Sequence, residues 1–120
     1  MPIRLKELLL VFAGGAVGTG LRFGAEVVGG DGLWPLFAVN IVGAFGLGWY
    51  LSRFPMAPGH VHGFFAVGLL GSLTTFSAFA VETVLLADSG AWGGAAVWVL
   101  GSIVVGIAAA IAGRFVGSTK

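Results

Sequence analysis

The chain has 120 residues, of which 58% are hydrophobic and 9% charged, with a net charge of +1 and a mean hydropathy of +1.03. These values lie far from those of soluble domains and indicate an integral membrane protein. The absence of cysteine excludes disulfides, thiolate metal sites and thiol redox chemistry.

Four apolar runs predict four membrane-spanning helices, at residues 8–28, 33–54, 63–87 and 92–116. A Gly-Gly-Asp-Gly turn separates the first two runs, and Pro35 suits the first turn of the second helix. Trp92 and Trp98 are predicted to anchor the last helix at the membrane interface. We therefore predict an all-α polytopic membrane protein with one domain, residues 1–120.

These runs have two alternative interpretations. Arg4 and Lys6 ahead of an apolar stretch resemble a cleaved signal peptide, but the run continues past the length of such a peptide and three more runs follow. Buried helices of a soluble protein would need polar faces, which the runs lack. Both alternatives are therefore disfavoured.

Small residues spaced four apart predict how the helices pack. In lipid, close backbone approach replaces much of the hydrophobic force between helices, and four thin helices enclose little. We expect a tight bundle that oligomerises. The pairs and series are Gly14/Gly18, Gly20/Gly24 and Ser102-xxx-Gly106-xxx-Ala110.

Asn40 lies near the middle of the second run, where a polar side chain is costly and marks either a contact between helices or a pathway. Its amide offers both a donor and an acceptor. An interhelical hydrogen bond and a place on a permeation route both explain it. Its depth alone does not decide between them.

The segment GSLTTFS at residues 71–77 combines glycine, hydroxyls and a β-branched pair, which favours a break in the third helix. A break at this depth exposes backbone carbonyls that are able to hold a cation. An unbroken helix with hydroxyls bonded to preceding carbonyls is the alternative. Phe76 and Phe79 would share one face, either as packing or with ring edges turned to an anion.

The motifs GGAVGTGLRF at 14–23, VNIVGAFGLG at 39–48 and GLLGSLTTFSAF at 68–79 resemble signatures of the Fluc family of small bacterial fluoride channels. The likeness covers essentially the whole chain, in the expected order. It implies an antiparallel dimer, two fluoride pathways along the interface and passive fluoride efflux across the bacterial cytoplasmic membrane. No enzymatic activity and no nucleic-acid partner are implied.

By position, the resemblance implies a role for each of several residues. Asn40, Phe76 and Phe79 would contact fluoride, with Thr75, Ser77 and, less distinctly, Ser102 contributing hydroxyls to the pathway. A structural sodium ion would bind the backbone carbonyls of Gly71 and Thr74 from both subunits, and no other cofactor is implied.

Three further positions have competing interpretations. Arg22 would line a vestibule that gathers anions, or extend to the lipid headgroups. Glu82 is interpreted as a hydrogen-bonded contact between helices, or as a gating element near the pathway. His60 and His62 are predicted to lie in a solvated loop rather than in a metal site.

The loop charges bear on the dimer. Four spans place Arg4, Lys6, Arg53, Arg114 and Lys120 on one side and Arg22 on the other, which favours both termini in the cytoplasm. A homodimer is the first expectation. The alternative is a pair of homologous chains with fixed, opposite orientations.

Two other functions remain open. A small four-span multidrug exporter needs a carboxylate in the membrane, usually in the first span, whereas Glu7 and Glu26 lie at the ends of this one. A structural subunit of a larger transporter would account for the glycines. It would leave Asn40 and the Thr-Thr-Phe-Ser segment unexplained.

Overall fold

The computed structural model describes residues 4–30 and 33–119, with the exception of the Ser77 side chain. This part of the chain is helical and contains no strand. Four helical stretches are long and apolar enough to cross a membrane, the third being Gly59–Asp88. The prediction of an all-helical protein with four spans is confirmed. The helices are α1 (Leu5–Gly29), α2 (Trp34–Arg53), α3 (residues 59–73), α4 (Phe76–Asp88) and α5 (Trp92–Ser118).

The helix ends follow local sequence. Pro35 occupies the first turn of α2, where its missing N–H removes no helical hydrogen bond. After α4, Gly90 adopts φ of 86°, a conformation that costs glycine little, and the Ala91 N–H donates to the Leu86 carbonyl at 2.9 Å. This turn lets α5 start within a few residues of α4.

The third span is irregular. Within α3, Gly63–Leu70 is π-helical, a geometry that is rare and often found at functional sites. Between α3 and α4, Thr74 and Thr75 have extended backbones, with ψ of 154° and 119°. The prediction that His60 and His62 lie in a loop is wrong, because both belong to the first turn of α3.

Helices α1 and α3 pack through glycine. A Cβ on Gly14 would overlap the Phe64 carbonyl oxygen, and one on Gly68 would lie 2.6 Å from the carbonyl oxygen of Val11. A Cβ on Gly18 would likewise overlap the carbonyl oxygen of Leu69. Contacts at the two ends, of Glu7 with Gly59 and of Gly18 with Ser72, progress in the same direction along both helices, so α1 and α3 run parallel.

Helices α2 and α5 form the second parallel pair. A Cβ on Gly48 would overlap the Ala110 carbonyl, and one on Gly113 the Phe45 carbonyl. The Ser52 hydroxyl donates to the Arg114 carbonyl at 2.9 Å, near the ends of both helices. Backbone contact of this kind fixes the spacing of the two helices.

Other predicted glycine contacts are absent within the described chain. A Cβ at Gly20, Gly24 or Gly106 would have nothing within 4 Å. The Gly14/Gly18 pair therefore packs inside the protomer, whereas Gly20/Gly24 and Gly106 face outward. Their surfaces remain available to lipid or to another chain.

Candidate functional site

A cleft of about 390 Å³ opens between α2 and the junction of α3 with α4. We call it the Asn40 cleft. None of the described residues that line it is charged, and its polar groups are an amide, two hydroxyls and backbone. The lining consists of Asn40, Gly43, Ala44, Leu47, Ala66, Leu70, Gly71, Thr74, Thr75, Phe76 and Phe79.

The Asn40 side chain is joined to the backbone at the junction of α3 and α4. The Thr75 N–H donates to Asn40 Oδ1 at 2.8 Å, and Asn40 Nδ2 donates to the Thr75 carbonyl at 3.4 Å. Because the Thr75 N–H is a donor, it must face the amide oxygen, which fixes the orientation of the amide. The interhelical contact predicted as one role for Asn40 is present.

This amide retains capacity for a further ligand. A primary amide carries two N–H donors, and one of them points to the Thr75 carbonyl. The other has no partner among residues 4–30 and 33–119. Asn40 therefore holds the backbone and still presents a neutral donor in the cleft.

The start of α4 adds a second electropositive feature. Thr75 is the N-cap, and its hydroxyl accepts from the Ala78 N–H at 3.3 Å. The first N–H groups of a helix lack helical partners and carry the positive end of its dipole. Since Phe76 begins α4 and lines the cleft, this end of the helix lies beside it.

Thr75→Ala removes the capping hydroxyl and is expected to destabilise the protein by about 1 kcal/mol. Thr75→Ser keeps the acceptor and is the matched control, with an expected loss below about 0.5 kcal/mol. Unfolding of detergent-solubilised protein, followed by tryptophan fluorescence, measures both. Equal stability of the two variants would show that the cap contributes nothing.

The Gly71 carbonyl is displaced from its usual partner. In an uninterrupted α-helix it would accept from the N–H of residue 75, which here donates to Asn40 instead. The Thr74 hydroxyl donates to Leu70 at 3.1 Å and reaches Gly71 at the long distance of 3.5 Å. The interruption therefore leaves the Gly71 carbonyl weakly bonded at the cleft.

Phe76 and Phe79 form one aromatic pair, with ring centroids 5.9 Å apart. Phe76 is 80% exposed, whereas Phe79 stacks on Trp98 with a centroid distance of 5.7 Å. Trp98 also donates its indole N–H to the Phe79 carbonyl at 3.3 Å. One ring of the pair is thus held in place, and the other is open to whatever occupies the cleft.

Residues 9–114 match the family described as "CrcB-like protein, Camphor Resistance (CrcB)". The chain belongs to the CrcB-like family.

Three relatives of this CrcB-like chain each carry the name of a fluoride-specific ion channel. The chain is 40% identical over 122 residues to the Fluoride-specific ion channel FluC of Caulobacter vibrioides, covering 93% of the chain and 95% of the relative. It is 40% identical over 115 residues to the protein of the same name from Paracoccus denitrificans, covering 91% and 92%. The Fluoride-specific ion channel FluC 1 of Mycobacterium bovis is 38% identical over 112 residues, covering 87% and 84%.

The remaining predicted site residues of the CrcB-like chain lie elsewhere. Ser102 lines a separate cleft of about 340 Å³ beside Trp98. Arg22 on α1 and Glu82 on α4 are partly buried, and neither lines the Asn40 cleft. The side chain of Ser77 is outside the described residues. The structure thus brings together six of the predicted residues: Asn40, Gly71, Thr74, Thr75, Phe76 and Phe79.

Two residues that shape the site, Gly43 and Trp98, were not assigned to it from the sequence. A Cβ on Gly43 would overlap the Thr74 side chain, so glycine is needed there for α2 to approach the junction. Its position three residues after Asn40, on the same helix face, is the signal that was available. The anchoring role predicted for Trp98 is corrected, since this residue is 8% exposed and supports Phe79.

Proposed function

We propose that the chain is a fluoride-selective ion channel that mediates passive fluoride efflux across the cytoplasmic membrane. The main support is an uncharged cleft at the interruption of a membrane span, which is lined by a spare amide donor, a helix N-terminus and two aromatic rings. The names of the relatives add independent support. Transport of this kind involves no covalent step, and the family is not enzymatic.

The physical basis lies in the strong hydration of fluoride. A pore must replace the lost water with donors, yet must bind weakly enough for the ion to leave. The spare N–H of Asn40 and the positive end of α4 supply donors and potential without a fixed cation. The edges of Phe76 and Phe79 carry partial positive charge and add weak contacts. These groups line one cleft and together form the proposed pathway.

Fluoride efflux from liposomes tests the proposal. Purified chain is reconstituted with internal potassium fluoride, valinomycin is added, and external fluoride is followed with an electrode. Fast efflux that excludes chloride is expected. Absence of efflux with wild-type protein would overturn the proposal, and proton-coupled uptake of a lipophilic cation would assign the chain to the multidrug exporters.

We also propose that two copies complete the pathway, as an antiparallel homodimer. The Asn40 cleft is open along one side, and Phe76 is exposed there, so that lipid would otherwise contact a permeating ion. Crosslinking in membranes and mass measurement in detergent test the dimer. A monomer with full activity would contradict it, and activity only after adding a homologous chain would favour the paired arrangement.

A structural sodium ion is proposed at the carbonyls of Gly71 and Thr74, contributed by both subunits. The residues fit such an ion, because the Gly71 carbonyl is displaced from the helical ladder and Thr74 is extended. Bound sodium would tie the two interruptions together and add positive potential near the pathway. Replacement of sodium by N-methylglucamine is expected to lower flux and thermal stability together.

Phe79→Leu removes the ring edge and is expected to lower fluoride flux about fivefold, since an aromatic contact is worth about 1 kcal/mol and a bulky aliphatic side chain offers no positive edge. Phe115→Leu is the control, because Phe115 lies at the far end of α5, 72% exposed and outside the cleft. The proteoliposome assay measures both. Equal flux in the two variants would remove Phe79 from the pathway.

A further inference from the structure

A second groove joins the Asn40 cleft. It has a volume of about 650 Å³ and runs between α2 and α5, and we call it the Arg114 groove. Ala44 and Leu47 line both cavities. The two cavities are therefore adjacent along α2, and the groove leads from the Asn40 cleft toward one end of the bundle.

The far end of the groove carries a cation. Ser52 and Arg114 line it at the C-terminal ends of their helices, where the parallel helices α2 and α5 approach the membrane surface. The walls are otherwise apolar, formed by residues such as Leu51 and Ile111. A single positive charge at the mouth of an apolar groove creates a focused field for anions.

The helix that carries Arg114 is held in place by contacts with α2. The backbone carbonyl of Arg114 accepts from the Ser52 hydroxyl at 2.9 Å, and the neighbouring Gly113 packs against the Phe45 backbone. Its guanidinium has no ion-pair partner in the described part of the chain. Helix α2 rises about 18 Å between Asn40 and Ser52. This distance is shorter than the Debye length, which is about 30 Å at 0.01 M salt.

We propose that Arg114 gathers fluoride at the entrance of the Arg114 groove, which is the route by which the anion reaches the Asn40 cleft. The inference rests on the proposed function. It replaces Arg22, which lines neither cavity, as the residue that attracts anions. The end of the bundle that carries Arg114 also carries Arg4, Lys6 and Arg53. In an antiparallel pair one subunit turns this end to the cytoplasm, and efflux begins at the groove of that subunit.

Arg53 provides a matched control. It lies at the same end of the bundle, on the last turn of α2, with its guanidinium 5.6 Å from the centre of the Phe54 ring. It is exposed and does not line the groove. Arg53→Gln and Arg114→Gln therefore remove the same charge from the same surface, and differ in the groove.

Flux at two ionic strengths tests the proposal. At about 0.01 M salt, Arg114→Gln is expected to lower fluoride flux about threefold relative to Arg53→Gln, and at about 1 M the two should agree because the field is screened. A lack of wild-type flux would overturn the proposed function itself. Normal wild-type flux with equal behaviour of both variants would overturn this inference alone.

Chemical labelling of a cysteine at position 114 keeps the proposal testable if the glutamine variant misfolds. The chain has no cysteine, so Arg114→Cys introduces a single thiol that can be labelled. A cationic methanethiosulfonate reagent should restore flux at low salt, and an anionic one should lower it further. The same response to both reagents would overturn the inference. A flux loss seen only in vesicles with anionic lipid would assign Arg114 to headgroup binding and would also overturn it.

Discussion

Asn40→Asp is expected to abolish fluoride flux. The substitution keeps the acceptor for the Thr75 N–H but removes the donors of the amide and adds a negative charge to an uncharged cleft. Two like charges 4 Å apart repel by about 4 kcal/mol at an effective dielectric of 20, which corresponds to roughly a thousandfold loss. The proteoliposome assay measures the loss, and size-exclusion chromatography verifies the fold.

Asn40→Ser is the companion variant. Serine retains one neutral donor but is shorter, so part of the flux should remain while the bond to Thr75 weakens. If Asn40→Asp conducts normally, Asn40 is not on the pathway, and its role is confined to the contact between α2 and the junction of α3 with α4. If both variants are equally inactive, the loss arises from the structure of the junction rather than from charge.

Gly14→Val is expected to destabilise the bundle by about 3 kcal/mol, because overpacking of a close contact forces backbone shifts. The new side chain would meet the Phe64 carbonyl and lie 3.0 Å from the Leu69 backbone nitrogen, neither of which is a flexible group. Unfolding of the detergent-solubilised protein by denaturant, read by tryptophan fluorescence, measures the change.

Gly15→Val is the control for this prediction. It is the next residue in α1, at the same depth in the membrane, and a Cβ there meets nothing within 4 Å. Its expected effect is below about 0.5 kcal/mol, as for other surface substitutions. Comparable destabilisation by the two variants would mean that helix propensity, rather than contact with α3, determines the cost.

Composition and hydropathy were sufficient to predict four membrane spans, because each span must satisfy its own backbone in lipid and so needs a long apolar helix. The local sequence favoured a break within residues 71–77, with an unbroken helix as the alternative, and Thr74 and Thr75 in that segment have extended backbones. It did not indicate the π-helical stretch Gly63–Leu70, whose wide turns have no distinctive residue pattern. The same stretch packs on Gly14 and Gly18.

The glycines of α1 illustrate what residue spacing alone does not predict. Gly14/Gly18 and Gly20/Gly24 have the same spacing on the same helix, but among the residues that the structure describes only the first pair contacts another helix. Spacing determines which residues share a face, whereas the rotation of the helix about its axis determines what that face meets. Rotation depends on all the packing partners together.

The sequence by itself determined that the protein lies in the membrane, that its polar residues there are few, and that Asn40 and the Thr-Thr-Phe-Ser segment are the exceptional ones. The tertiary structure decided that these two features meet. Asn40 and Thr75 are 35 residues apart, and their two hydrogen bonds depend on the close approach that Gly43 permits. It also separated Ser102 and Arg22 from the cleft and placed Arg114 on a groove adjoining it. The physical reason is that apolarity and spacing act locally along the chain, whereas a cleft exists only where several helices fail to fill the space between them.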